Sequence, residues 1–525
     1  MRACGRLPPL GCAVRSRPVW LLTLLALAAC TVSVPGSAAP AESGWRFVDE
    51  RPCSDTSADG ADEFSCVTLS VPTDHADPGG EHWDVTFGLH RAEGEPRGTF
   101  VVATGGPGSS GLAAADYYTS SYPAELQQDF DIVFFDQRGI GLSQEFRCDR
   151  AYYETFTASV DASSSAGDRD AFADAATQFG QDCFDEAGVD PATAPRYATT
   201  QAVEDLEAFR EWLGAPALTL YGESYGTQYV QTYAAAHPDH VAALVVDGVV
   251  DLSTDVQDFA VSAARAYSGV LDDTLRYCDR QQRCADDAPG DSPAGYDQLA
   301  AQLTATPGTL DDGTEVDGSL LAAAAGGSMS VPYLRTSFQE ALNAGIAGDL
   351  EPLADLAYEG TGPTSDFSDA LFYAVECQDY DFVPQGGDPR AELDDWLDRA
   401  GAEGIDDLRL GGVYYGDTPC PFWPGAAETA DAERPAPVTD PPYPVLVLGA
   451  DTDPNTPVVG AVGVFRDLTP GSGPEDAFLL ERGGPHVIYG WGVRCVDDVV
   501  NAFLTDGTLP ADRLTVCPGE VADPY

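Results

Sequence analysis

The pentapeptide G-E-S-Y-G at residues 222–226 constrains the fold of this chain more than any other segment. An apolar run, Leu218–Tyr221, precedes it, and a helix-like run from Thr227 to His237 follows it. A strand and a helix can meet at so short a turn only if small residues flank it, and the serine is then exposed at its tip. The segment therefore predicts a nucleophile elbow with Ser224 as the nucleophile, and an ordinary strand-to-helix turn is the alternative.

The general base can be found by elimination among six histidines. In the α/β-hydrolases, which share this elbow, the histidine follows the serine and the acid along the chain. Three histidines precede Ser224, and His237 and His240 lie too far down the helix that it opens. His486 remains, in the loop R-G-G-P-H after the strand-like run Ala477–Leu480. We predict that His486 is the base. The alternative, a surface histidine in a turn, would leave Ser224 without a base.

The acid of the triad is expected after the apolar run Val445–Leu448, which predicts a buried parallel strand. Two carboxylates follow this run, Asp451 and Asp453. Asp453 precedes a proline, which favours an extended backbone and fixes the direction of the side chain. We predict that Asp453 orients the imidazole, and Asp451 is the alternative.

Acyl transfer also needs backbone N–H groups that stabilise the developing oxyanion. Tyr225, directly after the serine, is expected to supply one of them. The other is expected from the glycine loop T-G-G-P-G at residues 104–108, where Pro107 has no N–H and Gly106 is the predicted donor. A flexible glycine loop is the alternative. In a second glycine loop, residues 136–143, Arg138 either ties the two loops together or belongs to a structural turn.

Four motifs together, G-G-P-G, D-Q-R-G-x-G-x-S, G-x-S-Y-G and a late D-P-x-T-P, resemble the prolyl-iminopeptidase branch of the α/β-hydrolases. Within that branch the chain is most similar to the secreted tripeptidyl aminopeptidases of high-GC bacteria, from about Trp45 onwards. Thr104 departs from the branch, which usually has histidine before G-G-P-G. The resemblance implies a serine peptidase that cuts peptides from their free N-terminus, and peptides are therefore the expected partners.

Strand-like runs alternate with helical ones, which predicts an α/β fold with a mostly parallel, doubly wound sheet. Between Asp251 and about Pro437 the strand pattern stops, and the resembling family carries an inserted helical cap at this place. We predict five segments in this order: a signal peptide at 1–29, a tether at 30–44, the first part of a hydrolase core at 45–250, a helical cap at 251–437 and the second part of the core at 438–525.

An aminopeptidase has to recognise the ammonium group of its substrate, and a partly buried carboxylate would do so. Glu376 and Asp379 in the cap, and Glu223 beside the nucleophile, are the candidates. Trp423 either lines the pocket or packs beside a disulfide. Because the chain has 85 acidic residues, a solvated acidic face is the alternative for the two cap residues.

The N-terminus resembles an export signal. Arginines precede an apolar run, Val19–Ala29, that is too short to span a membrane. The run ends in L-A-A-C, which resembles a bacterial lipobox and predicts lipidation of Cys30; cleavage near Ala38 is the alternative. The formal net charge of -58 disfavours nucleic acid and anionic lipid as partners. We therefore expect an exported protein that contacts membrane only through Cys30.

Cysteine usage agrees with export. Thirteen cysteines less three at or before position 30 leave ten, and an oxidising compartment favours five disulfides. Sequential pairing is the simplest connectivity, with free thiols or a metal site as alternatives: Cys53 with Cys66, Cys148 with Cys183, Cys278 with Cys284, Cys377 with Cys420, and Cys495 with Cys517. No C-x-x-C pair or histidine-rich cluster occurs, so we predict neither a metal nor a cofactor.

Two other functions fit the same motifs. An esterase or another small-molecule hydrolase would use the same triad, because the elbow does not define the substrate. A lipid-anchored binding protein with an inactive hydrolase fold is the alternative from another class, and the complete set of serine, acid and histidine argues against it.

Overall fold

The computed structural model describes residues 44–57, 60–287, 290–358, 364, 366–384, 387–426, 434–468 and 476–519. The predicted signal peptide, the tether up to residue 43 and Cys30 lie outside these residues. Among the helices described, none combines the length and the apolar character that a bilayer crossing needs.

The described residues contain twelve β-strands. Their bounds are β1 Arg46–Pro52, β2 Ser65–Pro72, β3 His82–His90, β4 Gly98–Ala103, β5 Phe130–Asp136, β6 Leu218–Glu223, β7 Val241–Asp247, β8 Gly308–Thr309, β9 Glu315–Val316, β10 Val445–Ala450, β11 Asp476–Arg482 and β12 Leu514–Pro518.

They also contain fifteen α-helices. Their bounds are α1 Gly111–Ser121, α2 Ala124–Asp129, α3 Ala166–Ala187, α4 Thr199–Leu213, α5 Tyr225–Ala236, α6 Val256–Arg280, α7 Gln282–Asp287, α8 Ser292–Ala305, α9 Gly318–Ser328, α10 Pro332–Ile346, α11 Glu351–Tyr358, α12 Asp369–Asp379, α13 Pro389–Glu403, α14 Val458–Asp467 and α15 Arg494–Asp506.

Ten of the strands form one sheet, in the order β1-β2-β3-β5-β4-β6-β7-β10-β11-β12. From β5 to β12 all neighbours run parallel, whereas β1, β2 and β3 pair antiparallel and β3 pairs antiparallel with β5. Side chains of α4, α5 and α14 pack on one face of this sheet, and those of α1, α2 and α15 pack on the other. The predicted mostly parallel, doubly wound sheet is confirmed.

Local burial explains which strands the sequence pattern predicts. Every residue of β5 and β10 is buried, so both appear as unbroken apolar runs. The edge strand β1 is almost wholly exposed, and β12 buries one residue of five, so neither has an apolar pattern. Sequence analysis therefore missed both edge strands. It also missed β2, although six of its eight residues are buried.

The chain between β7 and β10 forms helices α6 to α13, and β8 and β9 pair only with each other there. One apolar cluster of this region contains side chains of α6, α8, α9, α10 and α11. The helix α3, inserted between β5 and β6, packs against α13 of the same region. Sequence analysis did not foresee the contribution of α3, and the boundaries of the cap stay a prediction.

The five cysteine pairs follow the predicted sequential order, with S–S distances between 1.90 and 2.08 Å. Two of them join segments near the cap: Cys148–Cys183 fixes α3, and Cys377–Cys420 joins α12 to a later loop. The predicted connectivity is confirmed.

Candidate active site

Ser224 lies in the one-residue turn between β6 and α5, at the carboxyl edge of the parallel strands. Its backbone has φ 54° and ψ -126°, a conformation that non-glycine residues seldom adopt. The backbone N–H of Ser224 donates to the carbonyl of Asp247 at the end of β7, over 2.9 Å. The strain of this turn is typical of a nucleophile elbow, in which the hydroxyl is lifted above the sheet.

The two glycines of the pentapeptide are required by close backbone contacts. A Cβ atom on Gly222 would lie 2.3 Å from the carbonyl oxygen of Gly226, and one on Gly226 would lie 2.0 Å from that of Ala103. Strand, turn and helix therefore approach each other more closely than any side chain allows.

His486 and Asp453 are brought together by the loops after β10 and β11. The Nδ1 atom of His486 lies 3.0 Å and 2.9 Å from the two carboxylate oxygens of Asp453. Asp453 is 3% exposed and also accepts the hydroxyl of Thr456, over 2.8 Å. Asp451 points elsewhere: it accepts the N–H of Gly483 and forms an ion pair with an arginine of the same loop.

The imidazole and the serine lie above adjacent strands. Glu223, just before the serine, pairs with Asp247 where β6 and β7 end. Gly248 follows Asp247 and lies against the imidazole, because a Cβ atom on Gly248 would be 3.1 Å from Cε1 of His486. In the described part of the chain Ser224 makes no hydrogen bond to His486. Catalytic hydrogen bonds are often long before substrate binds, so this geometry is compatible with a triad.

The charge state of His486 depends on three neighbouring carboxyl groups. Burial of the ring favours its neutral form, but Asp453, and then Glu223 and Asp247, favour the imidazolium and raise the pKa of His486 above its ordinary value. An imidazole with this environment is a stronger base, and it is stabilised when it takes up a proton.

The glycine loop at residues 104–108 packs against the nucleophile. A Cβ atom on Gly105 would lie 2.9 Å from Cβ of Ser224, and Gly106 lines the same cavity as Ser224. Tyr225 is the first residue of α5, so its N–H has no acceptor within the helix. Both predicted oxyanion donors therefore lie beside the serine.

Asp136 connects the two glycine loops. Its carboxylate accepts the hydroxyl of Ser110, over 2.5 Å, and the N–H of Leu142, over 2.9 Å. Burial raises the pKa of Asp136 to about 6, against the effect of these donors. Arg138, considered for the same role, is instead fully buried in a bidentate ion pair with Asp205, away from the first loop.

A cavity of about 430 Å³, which we name the cap cavity, lies over the serine. Its core side includes Ser224, Tyr225 and Gly106, and its cap side includes Glu376 and Asp417. Aromatic side chains form much of the rest: Tyr152, Phe259, Tyr267, Phe367, Phe372, Tyr373 and Tyr380. The cap therefore closes the site into a space suited to a small or short substrate.

Three carboxyl groups line the cap cavity: Asp369, which accepts the hydroxyl of Tyr153, and Glu376 and Asp417, which affect each other. Burial raises the pKa of Glu376 well above its ordinary value, and the charges of Asp417 and Asp379 raise it further. Burial also raises the pKa of Asp417 to about 6. A pair of desolvated carboxyl groups holds protons strongly and attracts a cation.

Two predicted substrate contacts lie outside the cap cavity. Asp379 accepts the N–H and hydroxyl of Thr199 and the amide of Gln228, over 2.8, 2.5 and 2.6 Å, and does not face the serine. Trp423 is 3% exposed and packs against Phe179 and the ring of Tyr373. Asp379 therefore joins helices, which corrects the expectation of a substrate contact. For Trp423 the structure supports the second alternative, packing in the core beside the Cys377–Cys420 disulfide.

Glu223 lines a different cavity from Ser224. This space of about 180 Å³, which we name the histidine-side cavity, also includes His486 and several aromatic rings. Glu223 accepts the hydroxyl of Tyr118, over 2.5 Å, and its Oε2 atom is buried without a hydrogen-bond partner among the described residues. Burial, together with the charge of Asp247, raises the pKa of Glu223 to about 7.

Cap residues hold the loops that carry the acid and the base. Arg335 donates through Nη2 to the carbonyl oxygens of Thr452 and Gly484, over 2.9 and 3.2 Å, and through Nε to that of Met329. Burial lowers the pKa of Arg335 to about 10. One guanidinium therefore joins the acid loop and the histidine loop to the cap.

The neighbouring residue Ser330 adds two contacts of the same kind. The N–H of His486 donates to the carbonyl of Ser330, over 2.7 Å, and the hydroxyl of Ser330 donates to Asn455, over 2.6 Å. From the core side, Asp247 accepts the N–H groups of Ile488 and Tyr489. The backbone at and after His486 is thus fixed by polar contacts.

A possible ligand group for a metal lies far from this site. Atoms of Glu207, His237 and His240 lie within 4.8 Å of one another in the described structure. Glu207 already binds Arg210 through both oxygens, over 2.8 and 2.6 Å, and a cation next to the carboxylate disfavours a metal ion. The absence of a metal stays a prediction.

Sequence reasoning missed Asp417, Arg335, Ser330 and Thr456. A signal existed for Asp417, because Glu376 is adjacent to Cys377 and Asp417 is three residues before Cys420. The predicted disulfide therefore brings the two acids to one place. No comparable signal exists for Arg335, whose partners are backbone oxygens.

Comparison with known proteins agrees with this geometry. A family model described as alpha/beta hydrolase fold matches residues 98–288, and one described as TAP-like protein matches residues 410–517. The chain is 27% identical to the serine protease Hip1 of Mycobacterium tuberculosis, over 85% of this chain and 86% of that protein.

Two further relatives have similar coverage. A tripeptidyl aminopeptidase of Streptomyces lividans is 27% identical over 87% of this chain and 84% of its own. A protein named carboxylesterase B, from Mycobacterium tuberculosis, is 29% identical over 86% of both chains. The chain therefore has the α/β-hydrolase fold, and it is a serine hydrolase related to the tripeptidyl aminopeptidases.

Proposed function

We propose that this chain is an exported serine exopeptidase that acts at the free N-terminus of peptides. It releases short peptides, chiefly tripeptides, or single residues. Ser224 attacks the scissile carbonyl and forms an acyl-enzyme. His486 takes the serine proton and delivers it to the leaving amine, while Asp453 holds the imidazole in the correct tautomer. The contact of Asp453 with Nδ1 supports these roles, because it leaves Nε2 for the serine.

The N–H groups of Tyr225 and Gly106 stabilise the oxyanion of each tetrahedral intermediate in this proposal. Both residues line the cap cavity together with Ser224, and Pro107 beside them has no N–H to offer. The acyl part of the substrate then occupies the cap cavity.

The observation that carries the exopeptidase proposal is the pair Glu376 and Asp417 in the cap cavity. A peptide with a free N-terminus brings an ammonium group into this space. The ammonium neutralises the pair, and the low polarity of the cavity strengthens the attraction. A substrate without that charge leaves the buried acids without a cation, which is unfavourable.

Export is supported by the five disulfides, which form and persist outside the cytoplasm. The lipid anchor at Cys30 remains part of the proposal only, since that residue lies outside the described structure. Nucleic acid is not an expected partner, because the net charge of -58 repels it.

The test compares aminoacyl, dipeptidyl and tripeptidyl chromogenic amides, each with a free and an acetylated N-terminus. We expect kcat/KM to fall at least about tenfold on acetylation, because a charge-assisted contact to a desolvated group is lost. Glu376→Gln and Asp417→Asn should reduce this difference, whereas Glu340→Gln, at an exposed cap position, should not.

Equal kcat/KM for free and acetylated substrates would reject the exopeptidase and favour an esterase or endopeptidase. An esterase is the second candidate, since the relative named carboxylesterase B covers as much of this chain as the peptidases do.

A further inference from the structure

In the proposed mechanism Glu223 favours the charged form of His486, but it has no contact with the substrate. Glu223 is 7% exposed, and its Oε2 atom is buried without a partner among the described residues. The N–H of Gly105 also faces this carboxyl group, and a cationic ligand would satisfy the oxygen that lacks an ordinary hydrogen bond. Glu223 is one of the residues that line the histidine-side cavity.

The two cavities are separate. Ser224 lines the cap cavity, whereas Glu223 and His486 line the histidine-side cavity, and the two sets of lining residues do not overlap. When the tetrahedral intermediate collapses, the acyl part stays on Ser224 and the leaving amine receives its proton from His486. The leaving peptide therefore departs on the histidine side.

The walls of the histidine-side cavity suit a cation. Tyr118 and Tyr489 line it, and Tyr117 and Trp491, which are 70% and 43% exposed, stand where solvent reaches it. Aromatic faces attract Lys and Arg side chains, and a buried carboxyl behind them supplies the opposite charge. Burial, together with the charge of Asp247, raises the pKa of Glu223 to about 7, and a bound cation would stabilise the ionised form and lower this pKa.

We propose that the histidine-side cavity is a leaving-group subsite, in which Glu223 binds a basic side chain on the first residue of the departing peptide. This inference rests on the proposed function, because it assigns one part of the peptide that the enzyme cuts. It predicts a preference for arginine or lysine directly after the scissile bond.

The test measures capture of the acyl-enzyme by added amines. A p-nitrophenyl ester acylates Ser224, and argininamide or citrullinamide, which have nearly the same shape, then compete with water. The amine nitrogen forms an amide bond with the acyl carbon, the bond from that carbon to Ser224 Oγ breaks, and His486 transfers the amine proton to the serine. The ratio of amide to acid product reports binding at the subsite.

We expect argininamide to capture the acyl-enzyme about tenfold more efficiently than citrullinamide. In Glu223→Gln the two amines should capture it about equally. If Glu223 acted only through His486, Glu223→Gln would change the capture of both amines equally, and the preference for argininamide would stay the same. Equal capture by both amines in the unchanged enzyme, or a preference that survives Glu223→Gln, would overturn the proposal.

A second pair of variants keeps the test decisive if Glu223→Gln does not fold. Trp491→Ala should reduce capture of argininamide, whereas Tyr333→Ala, which removes an exposed ring from the cap, should not. An unchanged argininamide preference in Trp491→Ala would also count against the subsite. Because an ester supplies the acyl group, a failure to cut peptides would reject the proposed function without affecting this measurement.

Discussion

At the scale of single residues, the choice between Asp453 and Asp451 shows what geometry adds to sequence. A proline after Asp453 favoured it only through backbone direction, whereas the structure gives it a contact to Nδ1 of His486. Asp451 fixes the turn at Gly483 instead. The geometry therefore supports Asp453 as the acid of the proposed triad, and it places Asp451 in contacts of the loop.

We expect Asp453→Asn to lower kcat by about 10⁴-fold, because the amide favours the wrong imidazole tautomer. Asp451→Asn should lower kcat by less than about tenfold, since it removes contacts of the loop only. Steady-state kinetics on one chromogenic amide measures both. His486→Ala serves as the reference for a lost triad and should be at least as inactive as Asp453→Asn. The opposite ranking of the two aspartates would transfer the role to Asp451.

The pH dependence should separate the base from the amine-binding pair. The pKa of His486 is raised above its ordinary value, so kcat/KM should fall as the pH drops through a value above 6.5. Protonation of Asp417, whose pKa is about 6, removes negative charge from the cap cavity at lower pH. KM should therefore rise below pH 6 for free-amine substrates only.

The measurement is a pH profile of KM for a free-amine peptide amide and for a neutral ester. Asp417→Asn should flatten the profile of the peptide and leave that of the ester unchanged. The same rise in KM for both substrates would show that the low-pH effect comes from elsewhere.

At the scale of elements, sequence patterns predicted most of the buried strands. They missed β2, the edge strands and the side-chain contacts that join loops. The strands β5, β6, β7 and β10 appear as apolar runs because both faces of the sheet are covered. The strand β1 is exposed and gives no such signal. The role of Arg335 also could not be predicted from the sequence, because its acceptors are backbone carbonyl oxygens, which every residue has.

Arg335 is a positioning residue in this structure, and we expect Arg335→Met to lower kcat by about 10- to 100-fold with little change in KM. The variant removes the donor that joins the acid loop to the histidine loop. A displacement of about 1 Å at the reacting atoms lowers the rate by up to about this factor. Arg335→Lys, which keeps one donor, should recover part of kcat.

The control is Arg265→Met, which removes an exposed cap arginine paired with Glu403. Thermal denaturation distinguishes alignment from folding: Arg335→Met should keep its Tm within a few degrees of Arg265→Met. A loss of activity that follows Tm in both variants would indicate a general loss of stability and contradict the assignment.

At the scale of the whole molecule, disulfides connect the architecture to the site. Cys495–Cys517 joins α15 to the edge strand β12, far along the sheet from the elbow. Cys377–Cys420 closes a loop of 43 residues between Glu376 and the region of Asp417. Cross-links of this kind reduce the freedom of the unfolded chain, and this one also fixes two acids from distant parts of the sequence in one cavity.

We expect the mature exported protein, denatured without reductant, to show no thiol among its ten paired cysteines. The double change Cys377→Ser with Cys420→Ser should weaken discrimination against N-acetylated peptides, because Glu376 and Asp417 lose their fixed spacing. Labelling of Ser224 by a fluorophosphonate should persist, since the elbow does not depend on this bridge. The matched change Cys495→Ser with Cys517→Ser should lower Tm but keep the discrimination. Retained discrimination without the Cys377–Cys420 bridge would show that the surrounding helices alone position the two acids.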